Sequence, residues 1–86
     1  MNCQSRTEIV VMILEATNGG ATKTKIMYKA MLSFNQLKEY LSVLIENDLL
    51  EYRIGIKIFR TTEKGLKFLQ THNEIGELLH ITVKND

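Results

Sequence analysis

Eighty-six residues make one domain, and a domain this short buries only about 60–65% of the surface its unfolded chain exposes, so its core is thin. At 44% hydrophobic and 24% charged, with no proline and five glycines, the chain is globular and helix-rich rather than disordered or loop-built. A net charge of +1 argues against a uniformly basic coating protein, yet residues 16–61 carry seven basic and four acidic residues, a net of +3, enough for an electrostatic footprint on phosphates.

Ser5-Arg6-Thr7-Glu8 fits a capping box, in which a serine hydroxyl caps the amide three residues on and a carboxylate reaches back. Ile9, Met12, Ile13 and Ala16 follow at helical spacing, with Val10 and Leu14 beside them. Asn18-Gly19-Gly20 closes this helix, and Ala21 makes a brief extended bridge. Thr22 caps a second, short helix over residues 23–30. Ile26, Met27 and Ala30 face inward there; Lys23, Lys25 and Lys29 face outward. Met31-Leu32 forms the turn. Ser33, with Gln36 three residues on, starts a third helix over residues 34–46, whose buried stripe is Leu37, Leu41, Leu44 and Ile45.

The apolar period then shifts toward 2. Residues 49–53 read as a strand, Ile54-Gly55 as a tight connection, and residues 56–61 as the returning strand. Such a hairpin needs a helix beneath it. Thr61 or Thr62 caps a last helix that runs to about Ile81. Its apolar positions are Leu66, Phe68, Leu69, Ile75, Leu78 and Leu79, and Gly76 weakens it locally.

About three residues join the second and third helices. So short a link forces a steep crossing, the arrangement of a helix-turn-helix unit, whose second helix fits the major groove of B-DNA. The expected architecture is mainly α with one small β-hairpin. Residues 5–61 form the helix-turn-helix and wing, and residues 62–82 the C-terminal helix.

The chain resembles the small archaeal winged helix-turn-helix DNA-binding proteins, including the dimeric members of the Sulfolobus type. The resemblance runs through Arg6-Thr7-Glu8-Ile9-Val10 and Ile13-Leu14-Glu15-Ala16, then Gly20-Ala21-Thr22-Lys23-Thr24-Lys25-Ile26. It continues in Leu32-Ser33-Phe34-Asn35-Gln36-Leu37-Lys38-Glu39-Tyr40-Leu41, Leu49-Leu50-Glu51-Tyr52 and Arg60-Thr61-Thr62-Glu63-Lys64-Gly65-Leu66. It implies DNA binding through the third helix, a wing contact, and dimerisation through the last helix. Two departures stand out. The wing turn is short and carries Ile54 and Ile56, and the last helix is expected to break at Gly76.

Asn35, Gln36 and Lys38 lie in the first turn or so of the third helix. Asn and Gln pair bidentately with adenine and Lys donates to guanine, so these are the candidate base readers; Glu39 can accept from cytosine or repel phosphates. Thr22, Lys23, Thr24 and Lys25 open the second helix, whose free amides and hydroxyls suit a phosphate. Arg53, Lys57 and Arg60 offer the same at the wing. Each set also reads as an ordinary cap or solvated face. Tyr28 and Tyr40 are expected to be half-buried, with wet hydroxyl tips. Leu69, Ile75, Leu78 and Leu79 are the candidate dimer interface.

Catalytic signatures are absent. The sequence holds no CxxC, HExxH, GxSxG or glycine-rich phosphate loop. His72 and His80 lie about 12 Å apart along one helix, too far to share a metal. The Glu74/Glu77 pair reads as a solvated helical face. No cofactor, metal or small-molecule substrate is therefore expected. Cys3 is the single cysteine, which fits a reducing cytoplasm better than a secreted scaffold. No apolar run approaches the roughly 18–20 residues of a membrane span, and residues 1–8 show no signal-peptide pattern.

The leading expectation is a homodimeric, nucleoid-associated binder of double-stranded DNA that acts as a transcriptional regulator. The alternatives are a sequence-nonspecific architectural DNA-binding protein and a winged helix used for protein interaction.

Overall fold

The computed structural model describes residues 5–83, of which 79–83 enter by backbone only. The elements run α1 (Arg6–Ala16), α2 (Lys23–Ala30), α3 (Phe34–Glu46), β1 (Leu50–Arg53), β2 (Ile58–Thr61) and α4 (Glu63–Val83). Both expected capping boxes form. Ser5 Oγ accepts from the Glu8 amide at 3.1 Å while Glu8 accepts from the Ser5 amide at 3.0 Å. Ser33 and Gln36 repeat the arrangement at 3.2 and 3.0 Å.

The core lies where the four helices and the hairpin meet. Ile13, Leu14, Ile26, Leu37, Leu44 and Leu50 are fully buried, each worth roughly 1.5–3 kcal/mol of transfer free energy. On α1 the burial centres on Val11, Ile13 and Leu14, while Ile9, Val10 and Met12 pack only at its margin. On α3 the stripe stops at Leu44, since Ile45 and Val43 stay exposed. The two shifts differ in cause: α1 packs against α2, α4 and β2 and is covered on several sides, whereas the thin core covers only a narrow arc of α3.

The strands are antiparallel, with Leu50 opposite Thr61 and Arg53 opposite Ile58. Alternation puts Leu50, Tyr52, Phe59 and Thr61 on the inner face, where the Tyr52 and Phe59 rings stack at 4.5 Å. Ala21 adds the expected bridge, exchanging hydrogen bonds of 2.9 and 2.8 Å with Phe59. The tight two-residue connection is not what forms. The turn spans Ile54, Gly55, Ile56 and Lys57; the Lys57 amide donates to the Ile54 carbonyl at 3.3 Å. Lys57, not Gly55, takes the left-handed conformation (φ 53°).

Buried threonines lock the ends of this sheet to α1. Thr61 Oγ1 donates to the Leu14 carbonyl at 2.6 Å, and Thr17 Oγ1 lies 2.7 Å from Thr61 Oγ1 and 2.9 Å from the Ile13 carbonyl. Thr61 is thus spent on the core, and Thr62 caps α4, accepting from the Gly65 amide at 3.0 Å. Lys64 Nζ then donates to the Asn47 carbonyl at the end of α3, a cation at the negative end of a helix.

One expectation for α4 is corrected. The helix passes through Gly76 as one unbroken 21-residue helix, because a single glycine costs only about 1 kcal/mol in a helix that is otherwise well formed. Leu69, expected at a dimer interface, is 7% exposed and belongs to the core of its own chain. Ile75 and Leu78 do stand exposed; the Leu79 side chain falls outside those described.

Candidate nucleic-acid interface

Thr22 sets the start of α2. Its hydroxyl accepts from the Lys25 amide at 3.2 Å, which leaves the hydroxyl proton free to donate. Lys23, Thr24 and Lys25 follow on the exposed surface. Ala21, one residue earlier, is the residue hydrogen-bonded to β2. The wing and the first turn of α2 are therefore held together by backbone.

The link between α2 and α3 turns on Met31, which adopts the left-handed conformation at φ 56°, so the chain reverses within Met31, Leu32 and Ser33. The result brings Lys23 of α2 to the first residue of α3. Its Nζ sits 5.3 Å from the centre of the Phe34 ring, and Lys38 Nζ sits 5.6 Å from the same ring. Phe34 is 52% exposed. Two ammonium groups from different helices thus converge on one aromatic ring. A ring holds a cation by its quadrupole for about 0.5–1 kcal/mol at an exposed site, which orders the lysines without neutralising them.

All ten residues singled out from the sequence, Thr22, Lys23, Thr24, Lys25, Asn35, Gln36, Lys38, Glu39, Arg53 and Lys57, are exposed. They are not equally free. Gln36 Oε1 is occupied by the Ser33 amide, so bidentate pairing with adenine would require the capping box to open. Asn35 has no such commitment. Arg53 donates to Glu51 across 3.3 Å at an exposed position, a pair of the kind worth at most about 1 kcal/mol. Alternation sets Arg53 and Arg60 on the outer face of the hairpin, while Lys57 projects from the turn.

Sequence reasoning placed Phe34 only as a helix start. The signal that would have found it is an aromatic at the first position of the third helix, four residues before a lysine. The two tyrosines behave differently from each other. Tyr40 is half-buried as expected, whereas Tyr28 is exposed together with Met31.

Among the described residues, no group of three or more His, Cys, Asp or Glu is placed to hold a metal ion, and no helix is long and apolar enough to cross a membrane. A shallow groove of about 550 Å³ runs between α1 and α3, lined by Arg6, Val10, Gln36, Glu39, Tyr40 and Val43.

A family model described as winged helix-turn-helix matches residues 4–80. The chain belongs to the winged helix-turn-helix family. Among solved structures, this winged helix is similar to Sso10a-2, a DNA-binding protein from Sulfolobus solfataricus. The TM-score is 0.79 at 22% identity, over 94% of this chain and 87% of that one. No curated protein matches it. In winged-helix terms α2 and α3 are the helix-turn-helix, β1 and β2 the wing, and α4 the appended helix.

Proposed function

We propose that this winged helix binds double-stranded DNA, with α3 in the major groove and the wing on the flanking backbone. The observation that carries the reading is the convergence of Lys23 and Lys38 on Phe34 at the head of α3. It sets two cations and an apolar ring at the end of the helix that enters the groove in helix-turn-helix proteins. Lys38 and the α2 lysines hold phosphates, which fix orientation; Asn35 reads a base edge, and the exposed Phe34 ring suits a thymine methyl. Thr22 and Thr24 add hydroxyl donors, Gln36 and Glu39 contribute to register, and Arg53, Lys57 and Arg60 grip the backbone beside the wing. Sso10a-2, a protein of the same fold, is a DNA-binding protein, which supports the assignment.

We further propose a homodimer closed through α4 by Ile75 and Leu78, with Leu79 beside them in the sequence. Two copies would then meet half-sites one or more helical turns apart. In that form the protein is a nucleoid-associated, sequence-reading transcriptional regulator, since Asn35 stands uncommitted on α3 and net charge is near zero.

The test is fluorescence anisotropy with duplexes selected from a random pool, at two salt concentrations. A recovered motif that is lost on Asn35→Ala establishes sequence reading. Binding with no motif makes the protein architectural. No binding at low salt refutes the DNA reading and directs attention to a protein partner.

A further inference from the structure

The wing tip carries two isoleucines that the fold does not use. Ile54 is 79% exposed and Ile56 66%, and neither belongs to the hydrophobic core. They flank Gly55, where an added methyl group would meet nothing within 4 Å apart from its chain neighbours, so no other part of the fold covers the tip. A turn built only to join two strands favours Asn, Asp or Gly, which accept left-handed conformations and water. Here the left-handed position falls instead on Lys57, and the two most exposed large hydrophobics of the hairpin, Ile54 and Ile56, are stiff β-branched hydrocarbons at its turn.

The charge around the tip is of one sign. From Arg53 to Thr61 there is no acidic residue, while Arg53, Lys57 and Arg60 bracket the isoleucines. Glu51, the nearest acid on the hairpin, is paired with Arg53. An apolar point within a basic collar matches the minor groove of duplex DNA. That groove is about 6 Å wide and walled by phosphates. Architectural proteins enter it with Ile, Leu, Phe or Met, parting a base step and kinking the duplex.

We propose that Ile54 and Ile56 form such a wedge. The wing tip enters the minor groove, opens one base step against the isoleucine side chains, and bends the duplex toward the major groove. Arg53, Lys57 and Arg60 hold the phosphates on either side. This inference rests on the DNA-binding reading above and goes beyond it by assigning a deformation of the DNA to the tip.

The test uses the full chain and a duplex of about 24 base pairs, a length over which a kink is readily seen. The duplex carries a donor and an acceptor dye at its ends, so one titration reads binding by anisotropy and end-to-end distance by energy transfer. The same duplex with 2-aminopurine at successive A·T positions reports the parted step as a rise in fluorescence. The wild-type chain is expected to bind, raise energy transfer and brighten one position. Ile54→Ser/Ile56→Ser should weaken binding by no more than about tenfold, because the cost of unstacking vanishes with the wedge, and should leave both signals at the free-DNA level. Ile54→Leu/Ile56→Leu, which keeps the tip apolar, should retain them. Matching circular-dichroism melts establish that the variants fold.

Three results overturn the proposal while leaving DNA binding intact. They are wild-type binding without either signal, a serine variant that still gives both, and a serine variant that turns a self-associated protein into a monomer without altering the DNA signals. No anisotropy change at low salt removes the DNA reading itself, and the wedge with it.

Discussion

Gly65 lies in the first turn of α4 and Gly76 in its interior, and the same substitution is expected to have opposite effects at each. A methyl group on Gly65 would collide with the Leu49 carbonyl and with Thr61 Cγ2; on Gly76 it would meet nothing within 4 Å. Gly65→Ala is therefore expected to lower stability by about 1–3 kcal/mol, the cost of overpacking against backbone. Gly76→Ala should raise it by about 0.5–1 kcal/mol through helix propensity alone. Thermal melts of the two variants check the pair. Sequence assigned the helix-weakening role to Gly76 and none to Gly65, because the obstacle to a side chain at Gly65 comes from Leu49, sixteen residues earlier.

At the scale of elements, α3 is both a packed helix and the proposed reader, and neighbouring residues divide those tasks. Gln36 closes the capping box with Ser33, while Asn35 makes no bond within the helix cap. Gln36→Ala is expected to cost about 0.5–1.5 kcal/mol of stability as well as DNA affinity. Asn35→Ala should leave the melt unchanged and relax the preference at one base pair, by about 1–3 kcal/mol of discrimination. A selection experiment run beside a melt separates them; a stability loss in Asn35→Ala equal to that of Gln36→Ala would reassign Asn35 to the fold.

On α4 the division is equally sharp. Leu69→Ala should cost about 2–5 kcal/mol by opening a core cavity. Ile75→Glu/Leu78→Glu should keep the melt of the isolated chain and abolish self-association in sedimentation. A chain already monomeric at high concentration before substitution would refute the proposed dimer.

For the molecule as a whole, the balance of charge bears on the proposed mode of binding. A net charge of +1 means that affinity must come from the placement of cations rather than their number. Each phosphate contact contributes about −0.9 to the slope of log K against log salt. Lys23→Ala/Lys38→Ala should make that slope shallower by about 2, whatever the DNA sequence. An unchanged slope would move the phosphate contacts elsewhere.

What the sequence determined by itself is what depends on neighbours along the chain. Both capping boxes, the Gly19-Gly20 helix stop, the order of four helices around one hairpin and the winged-helix family were legible in residues three or four apart or in the change of apolar period. What tertiary structure decided is what depends on residues far apart in the chain. It put Leu69 in the core of its own chain, gave Thr61 to Leu14 and Thr17, and set the left-handed turn residue at Lys57. It also drew Lys23 and Lys38 onto Phe34. The physical reason is one of range. Hydrogen bonds and periodicity within an element are written in local spacing, whereas a side chain's burial and its partners are fixed only when the thin core closes around a few residues of each element and leaves the rest to solvent.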